Sequence, residues 1–222
     1  MADYKAIKGK SVLNIASDLD SAEGEGEIWF NTTSSDYKTI IKVAGTWASG
    51  NDLNTAREGL GAAGTQTAAI GFGGGPPGVA VTETYNGSSW SETADLNTAG
   101  WALAGCGTQT AALGFGRATG PNSQQNESWN GTAWTEVEDL NTGRDYAGGV
   151  GISTAALCVG GRAPPDSPTE NVESFDGSSW TEIADLNQAR MGIAATGTST
   201  AAIAFGGEES PITAKTETWD GS

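Results

Sequence analysis

Two acidic positions recur along this chain: Glu83, Glu127, Glu173 and Glu217 at one, and Asp52, Asp95, Asp139 and Asp185, each followed by Leu-Asn, at the other. Carboxylates make general acid–base pairs, glycosidase nucleophiles and calcium sites. A catalytic pair needs one singular environment that drives two pKa values apart, and a position that returns in every unit does not provide it. The recurrence instead predicts structural hydrogen bonding, to the neighbouring backbone or to Arg57, Arg144 and Arg190, each three residues after a Leu-Asn. Histidine is absent, which removes the commonest general base and transition-metal ligand together. Cys106 and Cys158 sit at different repeat positions, replaced elsewhere by Ala63, Val150 and Thr196, or by Gly71, Gly114 and Ala204. They read as small buried apolar residues, not as a disulfide or a zinc pair. The Gly71–Gly75 run lacks a Lys-Ser/Thr and a following helix, so it is no phosphate loop. Asp176 and Asp220 lack EF-hand spacing. The residues predict no catalytic site, no metal and no cofactor.

The elements that must position these residues are short strands. Glycine contributes 33 of 222 residues and charged residues only 17%, a composition of tight turns between strands. The net charge of −16, with no basic stripe, argues against nucleic acid as a partner. No apolar run is long enough for a secretion signal or a membrane span, so a product made in a cytoplasm and folded without disulfides is expected.

A stretch beginning Thr-Ala-Ala-Ile/Leu occurs at Thr67, Thr110, Thr154 and Thr200, at spacings of 43, 44 and 46 residues. That is the period of a repeat architecture. In the first unit the pattern predicts strands at residues 60–65, 68–72, 81–85 and 90–94. Asn86-Gly87, Asn130-Gly131, Asp176-Gly177 and Asp220-Gly221 mark the second hairpin turn, where a tight turn with both central residues at positive φ is expected. Four-stranded units at this period predict an all-β fold, a β-propeller with one blade per unit. The first strand of each unit is mostly Gly and Ala, as crowding at a central axis demands. Phe72, Phe115, Phe205, Tyr85, Trp129, Phe175, Trp219 and the recurring Trp90, Trp134 and Trp180 are expected to fill the space between blades.

Residues 47–222 resemble the kelch repeat: an apolar strand ending in Gly-Gly, an aromatic followed by Asp or Asn, then a Trp opening the last strand. Repeat two departs from this pattern. Its glycine pair is Gly116-Arg117, and Gly100 stands where the arginine belongs, so it reads as a degenerate blade. The Asp-box of sialidases is not matched, since Asp176 and Gly177 are adjacent. Trp47 to Asn54 carries the sequence of a fourth strand and exit, ahead of any blade, while the last repeat runs to Ser222 without one. Two arrangements follow: four blades closed by the N-terminal strand, or part of a larger propeller.

Strand alternation places the loops between second and third strands, and the connections between blades, on one face. Variable sequence collects there, naming Pro76, Pro77, Asn122, Gln124, Pro164, Asp166, Glu209 and Pro211 as candidate ligand-binding residues. Residues 1–46 form a separate arm with a hairpin, strands at 27–31 and 37–43 around a turn. Its Gly26-Glu27-Ile28-Trp29-Phe30-Asn31-Thr32-Thr33 resembles N-terminal attachment segments of bacteriophage tail and fibre proteins. That resemblance implies a non-enzymatic virion protein: Ile28, Trp29 and Phe30 attach the arm to other virion proteins, the chain is a homo-oligomer in the particle, and the propeller faces a host-surface glycan or protein. A generic kelch protein–protein interaction module is the competing reading, and a carbohydrate-active propeller enzyme a weaker one.

Overall fold

Each repeat folds as a sheet of its own in the computed structural model, which describes residues 13–15, 28–39, 47–119, 124–209 and 211–222. The chain falls into two compact units, Met1–Ser49 and Gly50–Ser222. In the first, the expected hairpin is formed by β2 (Ile28–Asn31) and β3 (Asp36–Thr39), and gains β1 (Leu13–Ile15) as a parallel third strand. The Asn31 side-chain carbonyl accepts the Thr33 and Ser34 amides at 2.9 and 3.1 Å and so shapes the turn.

The second unit is a four-blade β-propeller, with no helix among the described residues. Blade 1 is β4 (Gly61–Thr65), β5 (Ala68–Phe72), β6 (Thr82–Tyr85) and β7 (Trp90–Glu92). Blade 2 is β8 (Ala104–Thr108), β9 (Ala111–Phe115), β10 (Asn126–Trp129) and β11 (Trp134–Val137). Blade 3 is β12 (Gly148–Ile152), β13 (Ala155–Val159), β16 (Val172–Phe175) and β17 (Trp180–Glu182); the loop between its second and third strands carries a small hairpin, β14 (Arg162–Ala163) and β15 (Ser167–Pro168). Blade 4 is β18 (Ala194–Thr198), β19 (Ala201–Phe205) and β20 (Thr216–Trp219). Every blade is antiparallel in chain order.

Small residues let the blades meet. A Cβ on Gly105 would come within 2.9 Å of the Ala62 carbonyl oxygen, and one on Gly149 within 2.7 Å of that of Gly105, so the first strands of successive blades touch backbone to backbone. Strand two follows a second rule, large against small. The Phe72 ring of blade 1 lies where a Cβ on Gly114 of blade 2 would stand 2.7 Å away, and it meets Trp134 edge-on at 4.8 Å. Phe115 meets Trp180 at 5.1 Å in a cluster shared with Cys158, and Val159 shares one with Ala204. Phe72 and Phe115 are 0% exposed.

The second hairpin turn differs from expectation. Tyr85 pairs with Trp90, so the loop holds four residues, and only glycine, at φ 91° for Gly87, is left-handed. The Asn86 side chain accepts the Ser88 and Ser89 amides, both at 2.9 Å, and this Asx turn replaces the tighter one. At Asp176 and Asp220 the equivalent hydrogen bonds hold the carboxyl below its usual range: from the Ser179 and then the Ser178 amide at Asp176, and from the Ser222 hydroxyl and then its amide at Asp220.

Cys106 and Cys158 are free and buried. Burial pushes the Cys106 thiol up to about 12 and the Cys158 thiol up to about 11. An unfolded thiol ionises near ~8.5. A raised folded pKa keeps the proton on the native state, so these thiols contribute stability fully below pH ~8.5 and lose it as pH climbs toward 11 and 12. The expected result is a falling urea midpoint from pH 8.5 to 10.5, with neither thiol alkylated by iodoacetamide at pH 8 until the chain unfolds. Alkylation of the native chain at the rate of free cysteine would contradict this.

Blade 4 is the exception to the packing. It has three strands, and residues 47–50, at the start of the segment expected to supply the closing strand, form none. Phe205, the counterpart of Phe72 and Phe115, is 42% exposed.

Candidate functional site

The recurring glutamates are structural latches. Glu83 Oε2 accepts the backbone amide and side-chain Nδ2 of Asn54, each at 2.7 Å, while Oε1 accepts the Thr55 amide at 3.3 Å and Arg57 Nη2 at 3.2 Å. The same set holds Glu173 with Asn141, Thr142 and Arg144, and Asn187 and Arg190 hold Glu217. The Asn belongs to the connection entering the blade, so each latch ties that connection to the third strand. A carboxylate whose oxygens are filled this way has nothing to offer a substrate. Burial lowers the Arg57 pKa, with Glu83 partly opposing it.

Blade 2 corrects the reading of repeat two as degenerate. Gly100 supplies no guanidinium, but Arg117 reaches Glu127 from the end of strand two, Nη1 to Oε1 at 2.8 Å, and also donates to the Thr98 carbonyl at 2.6 Å. A Cβ on Gly100 would lie 2.9 Å from Arg117 Cδ, and one on Gly74 would lie 3.3 Å from Arg57 Cδ. The arginine and the glycine have exchanged positions around one carboxylate. The signal was in the sequence, because Gly100 and Arg117 are the two departures in the same repeat.

A singular constellation lies on the loop face. The bend residue that leads into each blade is left-handed in all four repeats: Gly59, Ala102, Tyr146 and Gly192, with φ from 52° to 62°. At this position Tyr146 sets its ring edge-on to Trp101 of the neighbouring blade, centroids 5.6 Å apart. The Arg162 guanidinium lies over Tyr146 at 5.2 Å and is held by fully buried Asp145, Nε to Oδ1 at 2.8 Å and Nη2 to Oδ2 at 2.7 Å. That pairing raises the Arg162 pKa; burial raises that of Tyr146, against the pull of Arg162. An open pocket beside the pair is lined by Met191, Gly192, Gly207, Glu208 and Ile212, and Ile212 is exposed. The Tyr146 ring, braced from outside the pocket by Trp101, and a fixed guanidinium with a spare donor suit a ligand that has a flat apolar face and hydroxyl groups.

The candidate loop residues distribute unevenly around it. Pro164 and Asp166 are exposed on the β14–β15 hairpin whose first residue is Arg162, and Glu209 and Pro211 belong to the loop that carries Glu208 and Ile212. Pro76 and Pro77 line a separate pocket with Thr55 and Arg57. Gln124 is exposed but spends its side-chain amide on the Leu140 and Asn141 carbonyls, at 2.8 and 3.0 Å, and Glu209 pairs with Lys215 at 3.0 Å. Asn122 lies outside the described residues. Trp101, Asp145, Tyr146 and Arg162 were not legible as a site, because each occurs once and their loops converge only in the fold. Ile28, Trp29 and Phe30 lie on β2 of the first unit, and Trp90, Trp134 and Trp180 open the fourth strands of blades 1 to 3. Among the described residues no group of three or more His, Cys, Asp or Glu side chains is placed to hold a metal ion, and no helix is long and apolar enough to cross a membrane. The chain matches no family model and no curated protein.

Proposed function

We propose that this chain is a non-enzymatic structural component of a bacteriophage particle, in which the first unit attaches to other virion proteins and the kelch-like propeller presents its loop face to a glycan on the host surface. The Trp101–Tyr146–Arg162 cluster carries the glycan part of this reading. Asp145 already neutralises Arg162 and Glu208 stands nearby, so an uncharged sugar suits the site better than an acidic one. The attachment part rests on the likeness of residues 26–38 to phage tail and fibre segments. The latch glutamates, consumed by internal hydrogen bonds, support the non-enzymatic part.

Tyr146→Ala tests the site without straining the backbone, because Ala102 adopts the same conformation one blade earlier. Glycan-array binding is expected to fall at least about 10-fold for Tyr146→Ala and for Trp101→Ala, the size of one lost aromatic contact, with unfolding midpoints little changed. Undiminished binding in both variants removes the site from the proposal. Mass spectrometry of purified phage particles is expected to find the chain, and its absence there ends the virion reading.

A further inference from the structure

The loop face repeats one small pairing in every blade. The residue before each left-handed bend meets the third residue after strand two: Glu58 with Gly75, Trp101 with Ala118, Asp145 with Arg162 and Met191 with Glu208. Residues opposite each other in an antiparallel bridge send their side chains to the same side, with Cβ atoms about 5 Å apart. Each blade therefore presents these two positions together, beside the connection that enters it.

Blade 3 fills the two positions with opposite charges, and Asp145 and Arg162 satisfy each other. Blade 4 does not. Met191 stands opposite Glu208, and Ile212 bridges Glu208 from its other side, so the carboxylate lies in a row between a thioether and a branched alkyl chain. The lysine of this loop, Lys215, is held by Glu209 at 3.0 Å. The Glu208 side chain has no hydrogen bond or ion pair among the described residues.

Arg162 and Glu208 line one pocket, the first from blade 3 and the second from blade 4. Asp145 takes Nε and Nη2 of Arg162, which leaves Nη1 as a donor, while Glu208 is an acceptor only. A hydroxyl group donates and accepts through one oxygen, so it uses either side chain and draws nothing from Met191 or Ile212. A secondary amide uses all four. In its trans form the N–H and C=O point in opposite directions, and the methyl of an acetamide lies on the N–H side. The acceptor it needs is therefore one flanked by apolar groups, and the donor it needs lies apart from them.

We infer that the ligand of this pocket is a neutral acetamido sugar. The amide N–H donates to Glu208, the methyl lies between Met191 and Ile212, the carbonyl oxygen accepts from Arg162 Nη1, and the sugar ring lies on Tyr146. The inference rests on the glycan reading of the pocket and names the class of sugar. Each competing class loses part of this fit. A plain hexose has neither the amide nor a methyl for Met191 and Ile212. A free amino sugar would bring an ammonium ion out of water against two apolar side chains. An acidic sugar would set a second carboxylate against Glu208.

The test titrates the full chain with the methyl glycosides of N-acetylglucosamine, N-acetylgalactosamine, glucose and glucosamine, followed by saturation-transfer NMR. One or both acetamido glycosides are expected to bind at least about 10-fold more tightly than the other two, the size of one lost hydrogen bond to a charged group, with the strongest transfer at the acetyl methyl. Glu208→Ala, a change at an exposed residue, is expected to remove that preference while the circular dichroism spectrum stays that of the natural chain. Acetamido glycosides that bind no better than the glucoside, tighter binding of the glucosaminide, or a preference that survives Glu208→Ala each overturn the inference. Tyr146-dependent binding on the glycan array would then still uphold the glycan reading, whereas an array without such binding ends both.

Discussion

Arg117→Gly is expected to lower the unfolding free energy by about 3 kcal/mol, the low end of the range for breaking a buried ion pair by removing one partner. Arg117 and Glu127 have side chains 0% and 1% exposed, so the deletion strands a carboxylate where water cannot reach it. Asn97 still donates to Glu127 Oε2 twice and Thr98 to Oε1, which keeps the loss from being larger. Gly100→Arg alone is also expected to destabilise, since the new Cβ would stand 2.9 Å from Arg117 Cδ and two guanidinium groups would contend for one carboxylate. The double variant restores the arrangement of the other three blades, an arginine entering from the connection and a glycine after strand two. Its stability is therefore expected near that of the natural chain, with a coupling energy of at least about 2 kcal/mol between sites that share one partner. Urea unfolding of the four chains measures this directly, and additive losses would show that Arg117 is not the displaced latch arginine.

That exchange marks how far the sequence could be read. Strand positions were legible because four copies constrain each other: the predicted 68–72 is β5 to the residue, and 60–65 is β4 within one. The latch partners of Glu83, Glu173 and Glu217 were legible for the same reason. Repeat logic fails where a repeat departs from itself. It scored Gly100 and Arg117 as two losses, because nothing in a linear comparison shows that their side chains point into one space. It also misjudged the second hairpin turn: Asn-Gly has one meaning in a two-residue loop and another when the Asn side chain caps two following amides, and only the pairing of Tyr85 with Trp90 separates them. The aromatic cluster fell outside repeat logic altogether. Trp101, Tyr146 and Arg162 come from two connections and a loop, and their convergence is a property of how blades 2 and 3 sit against each other.

Phe72→Ala and Phe205→Ala, the same change at the same repeat position, are expected to differ by several kcal/mol in the dilute single chain. Phe72 is wholly buried, and its ring is enclosed by Gly61 of its own blade and by Gly105, Gly114 and Trp134 of the next. None of those glycines can move into the space a lost ring leaves, so the cavity persists and the cost is about 3–5 kcal/mol. Phe205 is 42% exposed with no following blade beneath it, and its truncation costs under about 1 kcal/mol. The reverse substitution probes the same contact from the other side. Gly114→Val would place a Cβ 2.7 Å from the Phe72 ring and is expected to cost about 1–3 kcal/mol by overpacking, whereas Gly71→Val, with no ring from another blade upon it, is expected to cost less. The two ring deletions rank blade contacts by chemical denaturation alone. Equal losses would mean that Phe205 is covered within one chain, and that blade 4 has a neighbour its own sequence supplies.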